Sequence, residues 1–425
     1  MSARFIRIGA FGDAGTWLVA GAAAACLAAM LALLIVLGGA GAAPFWPSPI
    51  VEVQTRDGRV LLGEIVSRSD DAIALRTSET DRIGTGYVRV APKQFIDSTN
   101  PDDAFVIALI DGRRVFGRGD AAIADARLRE MSGAVADEIL WPNATGFFAR
   151  SGIFLRHVSR FLGASSTAAP LGGGVLPALA GTVTLVLLMS VIVMPFGIAT
   201  AAYLHERRGA AAGLVRSAIG NLAGVPSIVY GVLGLGLFVH GLGADIDRWF
   251  YSDRLPVPTF GSGGLLWAAL TLALLTLPVV VVSVEEGLAR IPAGLRAGSL
   301  ALGATRGETL WRLMLPAARP ALLTGLILAI ARAAGAVAPL MLVGVVKLAP
   351  ALPIDGEFPY LHPSRQFMHL GFAVYDAALA SPDAVRGVPR AYACALLLIV
   401  VVVALNLTAI VLRNRLRARY RALES

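Results

Sequence analysis

The chain has 425 residues, of which 56% are hydrophobic and only 16% charged. That balance excludes a soluble protein of ordinary composition and points to a membrane protein. The formal charge of +8 does not signal nucleic-acid binding, because residues 44–170 carry 15 basic and 16 acidic residues and the excess lies beside apolar runs, where membrane topology explains it.

Six runs reach the ~20 apolar residues that cross a bilayer: Thr16–Gly39, Val175–Tyr203, Ala211–Val239, Gly264–Val284, Ala321–Val346 and Tyr392–Leu412. The first is longer than a signal-peptide core and reads as a retained anchor, although Ala40-Gly41-Ala42 resembles a cleavage site. Pro44, Pro47 and Pro49 then make a stiff exit.

Beyond the exit the texture turns to short β-rich runs. Val51–Thr55 and Val60–Val66 flank Arg56-Asp57-Gly58, an Asp-Gly hairpin signal. Ile73–Arg76, Val88–Val90 and Phe105–Ile110 are further strands, and Asp111-Gly112 repeats the turn before Arg114-Val115-Phe116-Gly117. A small, mostly β domain is expected over Ser48–Asp120, followed by a helix over Ala121–Ile139. No catalytic set appears in it: Asp70-Asp71 and Asp102-Asp103 sit in polar turns, and His157 has no companion for a metal site. Phe147–Leu162 interleaves apolar residues with Arg150, Arg156, His157 and Arg160, the pattern of an interfacial helix or of one packed on the β domain. Gly172-Gly173-Gly174 permits a turn into the second span.

The third run holds Gly220, Gly224, Pro226, Gly231 and Gly234 and is kept as one span, kinked at Pro226, because membrane helices tolerate both residue types. Ser227 recaptures freed backbone or meets a substrate; Tyr230 packs or gates. Between the fourth and fifth runs lies Arg296–Pro316, which reads as helix, glycine turn at Gly303 and second helix, with Leu300, Leu310, Leu313 and Met314 at helical spacing. Such an elbow suits a protein partner better than lipid. With the N-terminus inside, segments 1–15, 204–216, 285–319 and 413–425 hold 15 arginines against 6 basic residues in loops 241–262 and 347–390, so both termini are expected in the cytoplasm. Arg332 falls inside the fifth run, roughly 18 Å from its cytoplasmic end at ~1.5 Å per residue. A charge there is costly and should face the bundle interior. It lies on an anion path, or it is satisfied by carbonyls or by an acid on a partner. Cys26 and Cys394 both fall in spans, which leaves no disulfide framework.

The string Asn221-Leu-Ala-Gly-Val-Pro-Ser-Ile-Val-Tyr-Gly231, with the 296–316 loop, resembles the A-type permease of the bacterial phosphate ABC importer. The permease loop of ABC importers reads Glu-Ala-Ala, three residues, Gly, nine residues, Ile-x-Leu-Pro. Here Gly303 is followed after nine residues by Leu313, with Leu315-Pro316 in register. Val284-Glu285-Glu286-Gly287-Leu288 to Ile291-Pro292, Arg332-Ala-Ala-Gly-x-x-Ala-Pro-Leu with Pro339, Phe367-Met-His-Leu-Gly-Phe and Asn406 continue the likeness over about 174–412. Two carboxylates of the pattern are missing. Ala297 replaces the loop glutamate, with Gly298 and Ser299 after it, and Gly335-Ala336-Val337 replaces Gly-Glu-Thr.

The resemblance implies a mainly α-helical polytopic inner-membrane protein with six transmembrane helices and a small mostly β periplasmic domain between helices 1 and 2. Its expected parts are an anchor (1–43), a periplasmic β-rich region with an interfacial helix (44–172), a type-1 permease domain (173–412) and a basic tail (413–425). It further implies a transport subunit, not an enzyme, without cofactor or metal of its own. Its partners would be a C-type permease, an ABC ATPase dimer carrying ATP and Mg, and a periplasmic phosphate-binding protein. No GxxxxGK[ST] loop is present, and Lys93 and Lys347 are the only lysines. The implied path residues are Arg332, Ser227 and Tyr230, with kinks at Pro226 and Pro339. The implied coupling residues are Arg296, Ala297, Gly303, Leu313, Leu315 and Pro316, with Glu308 as a substitute acid. A sensor or scaffold, a permease for another anion, and a secondary transporter are the competing readings.

Overall fold

The computed structural model describes residues 11–56, 58–68, 72–78, 87–91, 95–109, 114–130, 136–163, 174–207, 209–381 and 384–421. Asp57, Asp70-Asp71, Asp111-Gly112 and Gly172-Gly173 lie outside them.

Helix α1 (Phe11–Ala42) is apolar from Trp17 onward and nearly bare there, resting on the last helix of the chain. It ends in a 3₁₀ turn over Ala43–Phe45. Among the described residues eight strands follow: β1 (Ile50–Thr55), β2 (Val60–Arg68), β3 (Ile73–Thr77), β4 (Tyr87–Val90), β5 (Phe95–Thr99), β6 (Ala104–Leu109), β7 (Arg114–Arg118) and β8 (Ala136–Leu140), with α2 (Ala121–Glu130) before the last. They form two antiparallel sheets, β4-β3-β2-β1-β5 and β7-β6-β8. Ile50, Ala104, Val106 and Phe116 form a core shared by both sheets. Buried Glu64 on β2 takes Arg114 of β7 at 2.6 Å and Arg76 of β3 at 3.6 Å, so an ion cluster also joins the sheets. The helix expected over Ala121–Ile139 stops at Glu130, and its last residues belong to β8. Alanine content misled there: Ala136–Leu140 is held by pairing with β6, which outweighs local propensity.

The helical body comprises α3 (Phe147–Gly163), α4 (Leu176–Glu206), α5 (Ala210–Gly224), α6 (Ser227–Phe250), α7 (Leu265–Ala289), α8 (Ala293–Ala301), α9 (Arg306–Ala317), α10 (Arg319–Ala334), α11 (Ala338–Val343), α12 (Leu370–Ala380) and α13 (Ala384–Arg421). The α4–α7 pair is the centre of the core, with Leu185, Met189, Leu272, Val280 and Val284 buried between neighbours. Polar groups there are satisfied within their own helices, as a dry interior requires: the hydroxyls of Thr182, Thr271 and Thr276 donate to the carbonyls of Ala178, Trp267 and Leu272 at 2.7–2.8 Å. Among the described residues, five helices are long and apolar enough to cross a membrane. The count is six if α9 and α10, bent by 66°, make one crossing.

Two expected spans are corrected. Ala211–Val239 is not one kinked helix, because α5 ends at Gly224, Val225 and Pro226 are extended (ψ 132 and 139), and the long apolar helix is Ser227–Phe250. Proline disfavours a helical residue before it and starts helices readily, so Pro226 begins α6. Ala321–Val346 is likewise interrupted: α10 closes at Gly335, and α11 opens with Pro339 as its second residue and ends at Gly344. Neither proline is a mid-helix kink. The loop expected at 347–390 also contains α12, whose first turn is buried against α4 and α13.

Candidate functional site

Two breaks in the apolar helices are brought together. Helix α6 crosses α11 so closely that a side chain on Gly231 would stand 2.7 Å from Pro339 Cα, and only glycine permits that approach. The break at Val225-Pro226 is closed by Tyr230, which is 3% exposed and whose hydroxyl donates to the Leu222 carbonyl at 2.6 Å. That carbonyl also accepts from Val225 N–H at 3.2 Å, in the closing turn of α5. Ser227, one turn away, is exposed at the first position of α6.

Arg332 is half-buried in the last turn of α10, beside the second break. A cation at a helix C-terminus meets the negative end of the backbone dipole, worth about 0.3–1 kcal/mol at exposed sites and more where water is excluded. The break therefore helps to accommodate a charge that an unbroken helix would not. Ala336 packs against the α4–α7 core and offers no counter-charge. Among the described residues, no hydrogen bond or ion pair satisfies Arg332. The structure thus sets Tyr230 and Ser227 one turn apart beside the first break and Arg332 beside the second.

The second group of residues forms an elbow. Helix α8 ends at Leu302, Gly303 turns at φ 88, and α9 begins at Arg306. Thr305 and Glu308 make a capping box: the Thr305 hydroxyl accepts from Glu308 N–H at 3.2 Å, and the Glu308 carboxylate accepts from Thr305 N–H at 2.9 Å. Ser299 bonds to buried Thr309 at 2.9 Å, latching the two arms. Arg296 donates to Glu206 at the end of α4 (2.5 Å), and Arg216 of α5 reaches Glu285 of α7 at the same distance. The first pair fastens the elbow to α4, and the second ties α5 to the end of α7 just ahead of the elbow.

The predicted coupling residues therefore divide by exposure. Ala297 and Glu308 are exposed, Leu313 and Pro316 are half-buried, and Leu315 is buried in the bundle core at 6% exposure. Arg296 is committed to Glu206, and Glu308 to its own cap. The outward apolar surface comes mainly from two residues that sequence reasoning missed, Leu302 at 91% exposure and Trp311 at 68%; Leu295 and the already singled-out Leu300 are exposed as well. The Thr305-x-x-Glu308 spacing was a readable cap signature. Nothing local in the sequence distinguished outward Leu302 from inward Leu315.

Residues 193–422 match the family model described as "Binding-protein-dependent transport system inner membrane component". The sheets lie ahead of that match. The chain is 34% identical over 242 residues to the phosphate transport system permease protein PstA 1 of Mycobacterium tuberculosis, covering 57% of this chain and 71% of that one. It is 35% identical over 185 residues to the probable ABC transporter permease protein YqgH of Bacillus subtilis, covering 43% and 56%. To the phosphate transport system permease protein PstC of Xylella fastidiosa it is 31% identical over 198 residues, covering 43% and 60%. It thus spans little more than half of YqgH and about seven-tenths of PstA 1. By the extent of the family match and its likeness to PstA, the chain belongs to the binding-protein-dependent transport system inner membrane components, as a PstA-like, multi-pass ABC permease.

Proposed function

We propose that the chain is one permease subunit of an ATP-driven importer, with inorganic phosphate as cargo and both termini in the cytoplasm. The observation that carries this reading is the elbow at 293–317, which holds the Gly303-to-Leu315-Pro316 register, presents Leu302 and Trp311 outward, and is fastened to the bundle by Arg296–Glu206. An ATPase subunit grips this elbow. Its rigid-body movement passes through α9 to α10 and through the ion pair to α4, changing access at the paired breaks. A C-type permease supplies the other half of the path, and an outer binding protein delivers cargo. ATP hydrolysis belongs to the ATPase. Arg332, with no hydrogen-bond or ion-pair partner among the described residues and set at the negative end of α10, attracts a passing oxyanion, and no acid on its own helix competes with it. Phosphate is favoured over other oxyanions by the likeness to PstA 1.

The test is reconstitution of the complex purified through a tag on this chain, in ATP-loaded proteoliposomes, with uptake of labelled phosphate measured against sulfate. ATP-dependent phosphate accumulation supports the proposal. Accumulation of another oxyanion alone overturns the cargo. A complex without an ATPase overturns the coupling and favours the scaffold reading.

A further inference from the structure

Helix α3 stands between two places where the chain enters or leaves the apolar body. Just after α1, the Phe45 ring packs on Phe154 and Phe161 (centroids 6.3 and 5.0 Å), and Trp46 packs on Phe147 and Phe154 (5.9 and 6.0 Å). At its other end, the Phe161 carbonyl accepts from Val175 N–H at 2.8 Å, directly before α4. The end of one long apolar helix and the start of the next thus meet on α3, so it lies at the level where both leave the bilayer.

A second flank of α3 holds the sheets. Glu138 of β8, its side chain 8% exposed, takes Arg156 at 2.7 Å and both Arg160 and His157 at 3.3 Å. The other ring nitrogen of His157 lies 3.0 Å from the Phe45 carbonyl, and Arg150 donates to the Pro142 carbonyl at 2.8 Å. The remaining flank is uncovered and apolar: Phe147, Phe148 and Leu155 are 69%, 90% and 65% exposed. Positions 148, 152 and 155 fall on one stripe of the helix.

We propose that α3 lies on the membrane surface, with Phe147, Phe148 and Leu155 in the interfacial layer and Arg156 and Arg160 held beside Glu138 at headgroup depth. Aromatic rings are at home in that layer, and long basic side chains reach outward from it. The lipid is the occupant because α3 is continuous with the two helix ends that define the membrane edge. The Glu138 cluster then sets the height of the sheets above the bilayer, whatever the transporter carries.

The experiment uses the full chain in nanodiscs of phosphatidylethanolamine and phosphatidylglycerol, with Cys26 and Cys394 replaced by alanine. Spin labels are placed through Phe148→Cys, Leu155→Cys and, on half-exposed Ile123 of α2, Ile123→Cys. Collision with oxygen relative to a water-soluble nickel chelate is expected to be about tenfold higher at 148 and 155 than at 123, as for an interfacial helix. Ratios equal to that at 123 overturn the proposal. So does shielding from both reagents, which would mean that protein covers the stripe. A photoactivatable phospholipid on the unsubstituted chain checks the same point without a mutation: tagging within 147–160 supports the proposal, and tagging confined to the long apolar helices overturns it.

Discussion

Truncating Leu302 and Trp311 to alanine should detach the ATPase while leaving the permease folded. Leu302 is 91% exposed, so nearly all of the ~2 kcal/mol from burying a leucine remains to be gained on docking. A buried tryptophan hides roughly 200 Å²; at 68% exposure, about 135 Å² of Trp311 is still open, worth ~3 kcal/mol at ~25 cal/mol per Å². The single variants should therefore weaken ATPase binding by about 30-fold and 150-fold, and the double variant by more than a thousandfold if the losses add. Exposed substitutions of this kind shift folding stability by less than ~0.5 kcal/mol, so the melting temperature in detergent should hold. Leu315→Ala provides the contrast: it is buried at 6% exposure and should cost about 2–5 kcal/mol of stability. The assay is binding of the purified ATPase to nanodisc-held permease, read with ATP-driven uptake. A double variant that binds within threefold of the parent would refute the elbow as the docking surface.

Other expectations follow from the same geometry. Arg332→Gln should abolish uptake with ATPase binding intact, and unchanged uptake would remove Arg332 from the path. Asp247→Asn should destabilise the chain by about 3 kcal/mol, since the carboxylate is 2% exposed and accepts from the N–H groups of Thr259, Phe260 and Gly261 at 2.7–3.1 Å, where an amide opposes donor with donor; an unchanged thermal midpoint would contradict this. Arg365 and His362 hold the Asp355 carboxyl down at about 2. A depressed carboxylate stabilises above its unfolded value, so the 353–365 loop should keep its amide protection from neutral pH to about 4 and lose it as pH falls towards 2. Loss of protection already at pH 6 would count against that cluster.

Much of this architecture was legible in the residues. The apolar runs marked the helices, and the Gly303-to-Leu315-Pro316 register marked the elbow, because both are local patterns. The Arg56-Asp57-Gly58 signal matches the observed antiparallel pairing of β1 with β2, although Asp57 itself lies outside the described residues. What escaped depends on contacts distant in sequence. Composition alone could not separate a tolerated membrane proline from a break at Val225-Pro226, which is stabilised by the Tyr230 hydroxyl from the following helix. The strand at Ala136–Leu140 exists through β6. Arg332 read as a charge inside a continuous span, whereas the chain stops helix α10 within one turn of it. Glu308 read as a free acid although the Thr305-x-x-Glu308 spacing already carried the cap signature that the structure forms.

The segment between α11 and α12 ties together helices that otherwise meet only side by side. Gly264 N–H donates to Val343, Leu265 to Arg365 and Leu266 to Pro363, while Val346 donates to Phe367 and Leu370 to the Thr182 hydroxyl. Prising α4, α7 and α11 apart at this end would break the bonds made by Gly264, Leu265, Leu266 and Leu370, each worth about 1 kcal/mol net and more where water cannot replace it. This chain therefore behaves at that end as one stiff block. If the chain pairs with a second permease as proposed, a doorway for cargo would open along the boundary between the two halves, which would part like neighbouring stones rather than either one splitting.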